Sequence, residues 1–336
     1  MELLNKIKKN TFILVIITAV IIFFIVKDDF TNILNTLSKT DYKYIIIAII
    51  CYVIYIVLRS YINYLVVNEK DKYSLKESIK HNTIVLFFNG ITPFSTGGQP
   101  MEIYMLTEHK ISLNKATNAT IHSFIFYQIA LVLLGVFAVI YNFSFHIFPK
   151  VAFLRELVQL GFLINILVVV ILAVVTLSDK ATMFFVRILV SILNKFHLLD
   201  KYPNLINNIE EKIKKFTKSS KEILKNKKLL IYGIFINFVG LIFLYIIPYF
   251  IICAIGEATS INVIEAITAS AYVMVVASFI PIPGASGGIE YSFSKFYINF
   301  ISKSSIATVL LIWRFITYYL GMIVGALLFS LEKKVK

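Results

Sequence analysis

Long apolar runs separated by short polar segments make up most of this sequence. Each of six runs is close to the roughly 20 residues that a helix needs to cross the hydrocarbon core of a bilayer. Lipid offers no partners for backbone groups, so spanning segments of this kind are helical. The pattern predicts an all-α polytopic membrane protein with about six full spans. The runs occupy 11–26, 44–67, 117–141, 151–177, 229–254 and 305–330.

Two further apolar stretches are interrupted by helix-breaking residues. The sequence PFSTGG begins at Pro93 and PGASGG begins at Pro283, an offset of 283 − 93 = 190 residues. Proline and paired glycines prevent a continuous helix. Each stretch therefore predicts a re-entrant helical hairpin, which dips into the membrane and returns. Irregular backbone at that depth is tolerated only where protein or water covers it.

The same offset relates the spans on either side of the hairpins. It lays the span 44–67 over 234–257, close to the run at 229–254. We therefore predict a single membrane domain that contains two repeats, each made of a span, a hairpin and a span. Within the single domain 1–336, repeat one is predicted at 44–141 and repeat two at 229–330. A basic connector is predicted between them, at 178–228.

Lysine and arginine residues concentrate in alternate loops. The chain has 33 Lys and Arg against 19 Asp and Glu, a net charge of +14, and the connector alone has twelve basic and five acidic residues. Basic loops stay on the cytoplasmic side, next to the anionic inner leaflet. We therefore predict that both termini are cytoplasmic and that the hairpins enter from opposite sides, as in an inverted repeat. No nucleic-acid-binding motif accompanies the charge, so we expect no nucleic acid partner.

Motifs for catalysis, metal binding or cofactors are missing from the sequence. The only cysteines, Cys51 and Cys253, lie in apolar runs, and no Cys/His cluster has metal-ligand spacing. We expect no disulfide, no metal site and no cofactor. Without a P-loop, HExxH or GxSxG we also predict no catalytic residues. A GxxxG pattern at 321–325 predicts close helix packing, either within the chain or in a homodimer.

Four charged residues at predicted membrane depth are candidate substrate-binding groups. Arginine at that depth is costly and usually faces a cavity or a partner, and its guanidinium can hold a phosphate with two bonds. A glutamate beyond each Gly-Gly break could receive a cationic headgroup. The alternative is structural: each arginine could pair with a glutamate or extend its charged end to the membrane interface, and each glutamate could complement the positive end of a helix. These residues are Arg59, Glu102, Glu290 and Arg314.

The broken segments themselves are a second group of candidates. Glycine permits positive φ and close backbone approach, and the amides at a helix start can bind an anion. Hydroxyl groups in both segments add hydrogen-bonding capacity. We predict contact with a phosphate headgroup, and packing of the two hairpin tips is the alternative. The residues are Ser95, Thr96, Gly97, Gly98, Ser286, Gly287 and Gly288.

The stretches FNGITPFSTGGQPMEIYML at 88–106 and FIPIPGASGGIEYSF at 279–293 resemble the two signature stretches of a flippase-like family. The family is named for the membrane region of lysylphosphatidylglycerol synthase, and the resemblance covers roughly 10–330. In its bifunctional members, a cytosolic domain transfers lysine from lysyl-tRNA to phosphatidylglycerol. The membrane region then moves the cationic lipid to the outer leaflet, which gives resistance to cationic antimicrobial peptides. No transferase domain follows Lys336, so we expect this chain not to make the lipid.

The resemblance implies a flippase-like transporter in a bacterial cytoplasmic membrane. It would move a phospholipid such as lysylphosphatidylglycerol between leaflets. Two alternatives stay open. One is a member of the phosphatidylglycerol lysyltransferase family that modifies lipid as an intramembrane enzyme. The other is a membrane partner that recruits a separate synthase or glycosyltransferase, through the connector 178–228.

Overall fold

A computed structural model describes residues 36–69, 71–148, 152–195, 205–278 and 280–335. Within these ranges the chain is helical and contains no β-strand. The first predicted span, 11–26, lies outside the described residues. The α-helices are α1 (Tyr42–Val67), α2 (Leu75–Gly90), α3 (Gly98–Glu108), α4 (Leu113–Phe145), α5 (Ala152–Leu177), α6 (Asp179–Lys195), α7 (Leu205–Lys225), α8 (Lys227–Tyr245), α9 (Ile247–Ala254), α10 (Val263–Ala277), α11 (Gly288–Tyr297), α12 (Lys303–Arg314) and α13 (Leu320–Val335).

The first series of helices, α1 to α4, contains the first broken segment. At the start of α2 the Glu77 amide donates to the Ser74 hydroxyl, and the Ser74 amide donates to the Glu77 carboxylate. This reciprocal capping box satisfies amides that have no partner within the helix. After α2 ends at Gly90, a 3₁₀ turn, Pro93–Ser95, leads into α3. The predicted break at Pro93 is therefore present between two short helices.

The second series, α8 to α13, follows the same order with two interruptions. Pro248 lies near the start of α9 and separates it from α8, because proline lacks an amide hydrogen and clashes with the preceding turn. Asn262 and Glu265 form a second capping box at the start of α10. The 3₁₀ turn Pro283–Ala285 leads into α11, and a π-helical turn, Phe315–Tyr319, joins α12 to α13.

The predicted connector folds as two helices that pack on the bundle. α6 contacts α5 and α7, and α7 also contacts α4. The Ser220 hydroxyl of α7 donates to the side chain of Asn118 on α4. The Thr217 hydroxyl donates to Asp179 at the start of α6. These bonds hold α7 against the start of α4, while contact of the connector with a lipid surface stays a prediction.

Five helical segments are long and apolar enough to cross a membrane. Many of their side chains are exposed large hydrophobic residues, such as Ile46, Leu163 and Leu327. Soluble proteins rarely expose so much apolar surface, so these faces fit a lipid environment. The segments match five of the six predicted spans. They are Tyr42–Val67, Leu113–Phe145, Glu156–Leu177, Lys227–Ala254 and Lys303–Glu332.

The GxxxG pattern of α13 lies in a contact within the chain. A Cβ atom at Gly325 would come 2.3 Å from the carbonyl oxygen of Thr83 on α2. One at Gly321 would come 2.3 Å from the hydroxyl of Tyr52 on α1. Small residues allow such close approach of helices. The pattern therefore packs α13 against the first series, and a homodimer stays a prediction.

Candidate functional site

The two 3₁₀ turns of the broken segments, Pro93–Ser95 (the first turn) and Pro283–Ala285 (the second turn), contact each other. Phe94 and Gly284 hold equivalent positions in the two copies of the motif, and both have left-handed backbone, with φ of 53° and 64°. Ser95 and Ala285 follow with φ of 54° and 49°. This conformation costs most L-residues roughly 1–2 kcal/mol. The copies therefore share an unusual backbone as well as a sequence, and their contact fits the alternative in which the two segments pack together.

The amides that follow the first turn are already hydrogen-bonded to side chains that precede it. The Gly97 amide donates to Thr92 Oγ1 at 2.9 Å, and the Gly98 amide donates to Asn89 Oδ1 at 2.9 Å. A phosphate would have to displace these side chains before it could use either amide. Phosphate binding at this turn therefore stays a prediction. The neighbouring exposed hydroxyl-bearing residues are Ser95 and Thr96.

Glu290 and Arg314 connect the second turn to α12. One oxygen of Glu290, Oε2, accepts from the Gly287 amide at 2.6 Å. The other, Oε1, lies 2.9 Å from Arg314 Nε and 2.7 Å from Arg314 Nη2. Arg314 Nη2 also donates to the Gly284 carbonyl oxygen at 3.0 Å. Arg314 is only 4% exposed and Glu290 only 8%, so the pair is buried and hydrogen-bonded, as the structural alternative expected.

Two further predicted substrate-binding residues, Ser286 and Gly288, contact other residues of the second broken segment. Ser286 is buried, and its hydroxyl donates to the Pro283 carbonyl oxygen at 3.0 Å. Gly288 packs against the side chain of Ile280, and a Cβ atom there would displace the end of that side chain. Both observations fit packing of the turn. A direct role in binding stays a prediction for each.

Arg59 and Glu102 line one small cavity between α1, α2, α3 and α4. Its volume of about 10 Å³ is near the minimum for one water molecule. Glu102 is 9% exposed and accepts from Asn63 Nδ2 at 2.7 Å. The Arg59 guanidinium donates to the Tyr55 hydroxyl at 3.0 Å and lies 4.4 Å from the centre of the Tyr127 ring. Among the described residues no ion pair joins Arg59 to Glu102.

Two hydroxyl groups on the wall of this cavity have no hydrogen-bond partner among the residues that the structure describes. Thr120 and Ser123, both on α4, are 1% and 8% exposed. Neither hydroxyl oxygen has a partner in the structure. Buried polar groups are nearly always hydrogen-bonded to protein, water or a ligand. The wall therefore has a cation, a carboxylate and two free hydroxyl groups available to a polar occupant.

A second, wider cavity lies near the end of α1 and the start of α4. Its volume is about 570 Å³, which is within the usual range for a small-molecule site. Val66 of α1 and Lys115 of α4 line it, and Glu222 of α7 contributes from the connector. Both cavities thus use α1 and α4, and the wide one is nearer the basic loops.

Asn63, Thr120, Ser123 and Tyr127 are not among the site residues predicted from the sequence. A signal for three of them was present, because 120, 123 and 127 follow the spacing of one helix face within an apolar run. Polar residues on one face of a span indicate a face turned away from lipid. The π-helical turn after Arg314 was also missed, and no local sequence pattern marks it. Such turns recur at functional sites.

These features define a multi-pass, all-helical membrane protein in which two broken segments meet beside buried charges. Residues 11–325 match the family described as "Lysylphosphatidylglycerol synthase TM region", and the chain belongs to that family. It is similar to a "UPF0104 membrane protein" of Archaeoglobus fulgidus. The two are 24% identical over 274 residues, which cover 76% of this chain and 75% of the relative. No solved structure matches the chain. The predicted family is confirmed. The predicted location in a bacterial membrane stays a prediction, because the relative is archaeal.

Proposed function

We propose that the protein is a flippase-like transporter that moves a phospholipid between membrane leaflets. The observation that carries the proposal is the polar cavity of α1 to α4, where Arg59 and Glu102 lie beside two unpaired hydroxyl groups. A lipid headgroup that crosses hydrocarbon needs polar and charged partners on its path. Membership of a family named for lysylphosphatidylglycerol synthase supports a lipid as the substrate.

The chemistry of the cavity favours a headgroup that has both a negative and a positive charge, such as that of lysylphosphatidylglycerol. Arg59 would bind the phosphate, because a guanidinium can give it two parallel hydrogen bonds. Glu102 would bind a lysyl ammonium group. The hydroxyl groups of Thr120 and Ser123 would complete the contacts. A space of about 10 Å³ is far smaller than a headgroup, so transport requires α1 to α4 to move apart.

The Arg314 and Glu290 pair has a different part in this proposal. Its groups already bond to each other and to the second turn. A headgroup would bind them only after it broke this pair. We therefore assign them to positioning the second turn, and we assign the first contacts with the headgroup to Arg59 and Glu102.

The proposed membrane topology follows the charge distribution. The run 11–26 adds one span to the five long helical segments, and both termini are cytoplasmic. Repeat one, 44–141, and repeat two, 229–330, then have opposite orientations in the membrane. The broken segments are re-entrant hairpins that meet between the repeats, as in transporters with inverted repeats. We propose the cytoplasmic membrane of a bacterium as the location.

The wide cavity is the proposed entrance for the headgroup. Asn63 and Val66 are one helical turn apart on α1, and one lines the small cavity while the other lines the wide one. On α4, Lys115 lines the wide cavity, and Thr120, five residues later, lines the small one. At 1.5 Å per residue, the separation along each helix is only about 5–8 Å. A headgroup from the cytoplasmic leaflet would therefore pass from Lys115 towards Arg59.

Translocation of labelled lipid in liposomes that contain the purified chain tests the proposal. Lysylphosphatidylglycerol, phosphatidylglycerol and a glycolipid are compared. We expect movement that is selective for the first lipid, and a loss of at least tenfold in Arg59→Gln and Glu102→Gln. Thr120→Val should slow movement, whereas Thr308→Val should not, because Thr308 is also buried and unpaired but lies on α12, outside the cavity.

The proposal fails if no lipid moves faster than in empty liposomes. The alternatives then take its place, and they give different results. A membrane partner of a synthase would co-purify with a soluble enzyme and lose it when the lysines of 178–228 are neutralised. An enzyme would change the chemical identity of an added lipid, which mass spectrometry detects.

A further inference from the structure

Two histidines and a glutamate from three different elements come together near the start of α2. His81 lies on α2, His109 follows the end of α3, and Glu332 lies near the end of α13. One nitrogen or carboxylate oxygen from each lies within 4.8 Å of the other two. The two imidazole rings have centroids 5.0 Å apart. This set of side chains is separate from the cavity that Arg59 and Glu102 line.

The imidazole of His81 is buried without a hydrogen-bond partner in the described part of the chain. The residue is 1% exposed, and neither Nδ1 nor Nε2 has a partner. A neutral imidazole has one donor and one acceptor, and a buried polar group without a partner calls for an explanation such as an ion. His81 therefore has a buried ring nitrogen available as a ligand.

We propose that His81, His109 and Glu332 bind a divalent transition-metal ion, for which Zn²⁺ is the best fit. Zinc accepts imidazole nitrogen and carboxylate oxygen at about 2.0–2.2 Å. In tetrahedral geometry these ligand atoms are about 3.3 Å apart. The ligand atoms lie within 4.8 Å of one another, so side-chain rotations that shorten the longest separation by at most about 1.5 Å would give that spacing. Three protein ligands leave the fourth position to a water molecule.

The surroundings of the three side chains fit a metal site. Glu77 Oε1 lies 3.4 Å from His109 Nδ1, which leaves Nε2 of His109 for the ion. Carboxylates in that place commonly orient histidine ligands and make them more basic. Lys80 Nζ lies 3.0 Å from Oε1 of Glu332, and the other carboxylate oxygen remains for the metal. The ring of Tyr73 packs against both imidazoles, at centroid distances of 5.3 and 5.9 Å.

A metal at this position would link the last helix of the chain to the first broken segment. α13 already packs along α2, and Glu332 would coordinate the same ion as His81 and His109. The ion would therefore restrain separation of α13 from α2 and α3. Metal binding at this site does not depend on lipid transport, so the two proposals are tested separately.

Zinc binding to the purified full-length chain, after treatment with EDTA, tests this proposal. Competition with a chromophoric chelator measures affinity and stoichiometry, and Co²⁺ gives a visible spectrum that reports coordination. We expect one tightly bound Zn²⁺ per chain. We also expect the affinity to fall at least tenfold in His109→Gln and in Glu332→Gln. Zn²⁺ should raise the melting temperature of the wild type but not of these variants, because a ligand stabilises only the state that binds it.

Two control variants distinguish coordination from other effects. Lys80→Gln breaks the same ion pair as Glu332→Gln but keeps all three ligands. It should bind Zn²⁺ more tightly than the wild type, because it removes a positive charge beside the ion. His146→Gln changes an exposed histidine at the end of α4 and should have no effect. Equal affinity in the wild type, His109→Gln and Glu332→Gln would overturn the proposal, as would a wild type that binds no Zn²⁺.

Discussion

The hydroxyl group of Tyr318 donates a hydrogen bond of 2.8 Å to the carbonyl oxygen of Gly90. Tyr318 belongs to the π-helical turn between α12 and α13, and Gly90 is the last residue of α2. The Tyr318 ring also lies 4.7 Å from the Arg314 guanidinium. A Cβ atom at Gly284 would meet this ring at 2.5 Å. One tyrosine thus contacts the first broken segment, the second broken turn and the buried ion pair.

Tyr318→Phe should therefore destabilise the protein. The substitution removes the donor to the Gly90 carbonyl oxygen, which lies at a helix end where carbonyl groups have no partner within the helix. We expect a loss of about 1 kcal/mol in the free energy of unfolding, measured by thermal or denaturant unfolding in detergent. Tyr104→Phe is the control, because Tyr104 is 53% exposed. Equal stability of both variants would show that the bond contributes nothing.

Glu290→Gln should be among the most destabilising single substitutions in the second series. It leaves the guanidinium of Arg314 buried without its counter-charge, a change that typically costs about 3–5 kcal/mol. Arg314→Met should cost a similar amount because it leaves the carboxylate unpaired. The double variant should cost clearly less than the sum of the two, since neither unpaired charge remains. Additive losses in unfolding experiments would contradict a direct interaction.

Gly284→Ala should cost more than the same change at Gly256. Both glycines have positive φ, of 64° and 86°, so alanine is strained at either position. Gly256 has no described residue within 4 Å of an added Cβ atom, and its variant should lose about 1–2 kcal/mol. At Gly284 the new methyl group would also displace the ring of Tyr318. A Gly284→Ala variant as stable as Gly256→Ala would mean that the ring moves away without cost.

Glu257 should make stability depend on pH in the acidic range. Burial alone would raise the pKa of its carboxyl, but hydrogen bonds from the hydroxyls of Ser305 and Ser302 and the amide of Ser302 lower it below its usual value. Because the pKa in the folded state is lowered, the stabilisation is complete above the pKa of the unfolded state, about 4.3. It is lost as the pH falls through the folded-state pKa.

The comparison of wild type with Glu257→Gln measures this effect. We expect the wild type to be more stable at pH 7, by no more than about 1 kcal/mol because the site is partly exposed. The difference should shrink as the pH falls below about 4. A difference that stayed constant between pH 7 and pH 3 would exclude the carboxylate as its cause.

The helices of this protein could largely be predicted from the sequence. Five predicted spans correspond to long helices in the described residues, and the breaks at Pro93 and Pro283 lie where predicted. These features depend on local properties, namely the length of an apolar run and the inability of proline to continue a helix. The capping boxes at Ser74 and Asn262 are local in the same way, because each residue bonds to a glutamate three positions later.

The partners of the buried charges were decided by the tertiary structure alone. In sequence the two halves look alike, with a glutamate after each Gly-Gly break and an arginine in a neighbouring span. In the structure Glu290 bonds directly to Arg314, whereas Glu102 bonds to Asn63 and shares a cavity with Arg59. His81, His109 and Glu332 likewise meet only because α13 packs along α2. The physical reason is that local sequence determines where helices form, whereas the contacts of a buried side chain depend on which helices pack together.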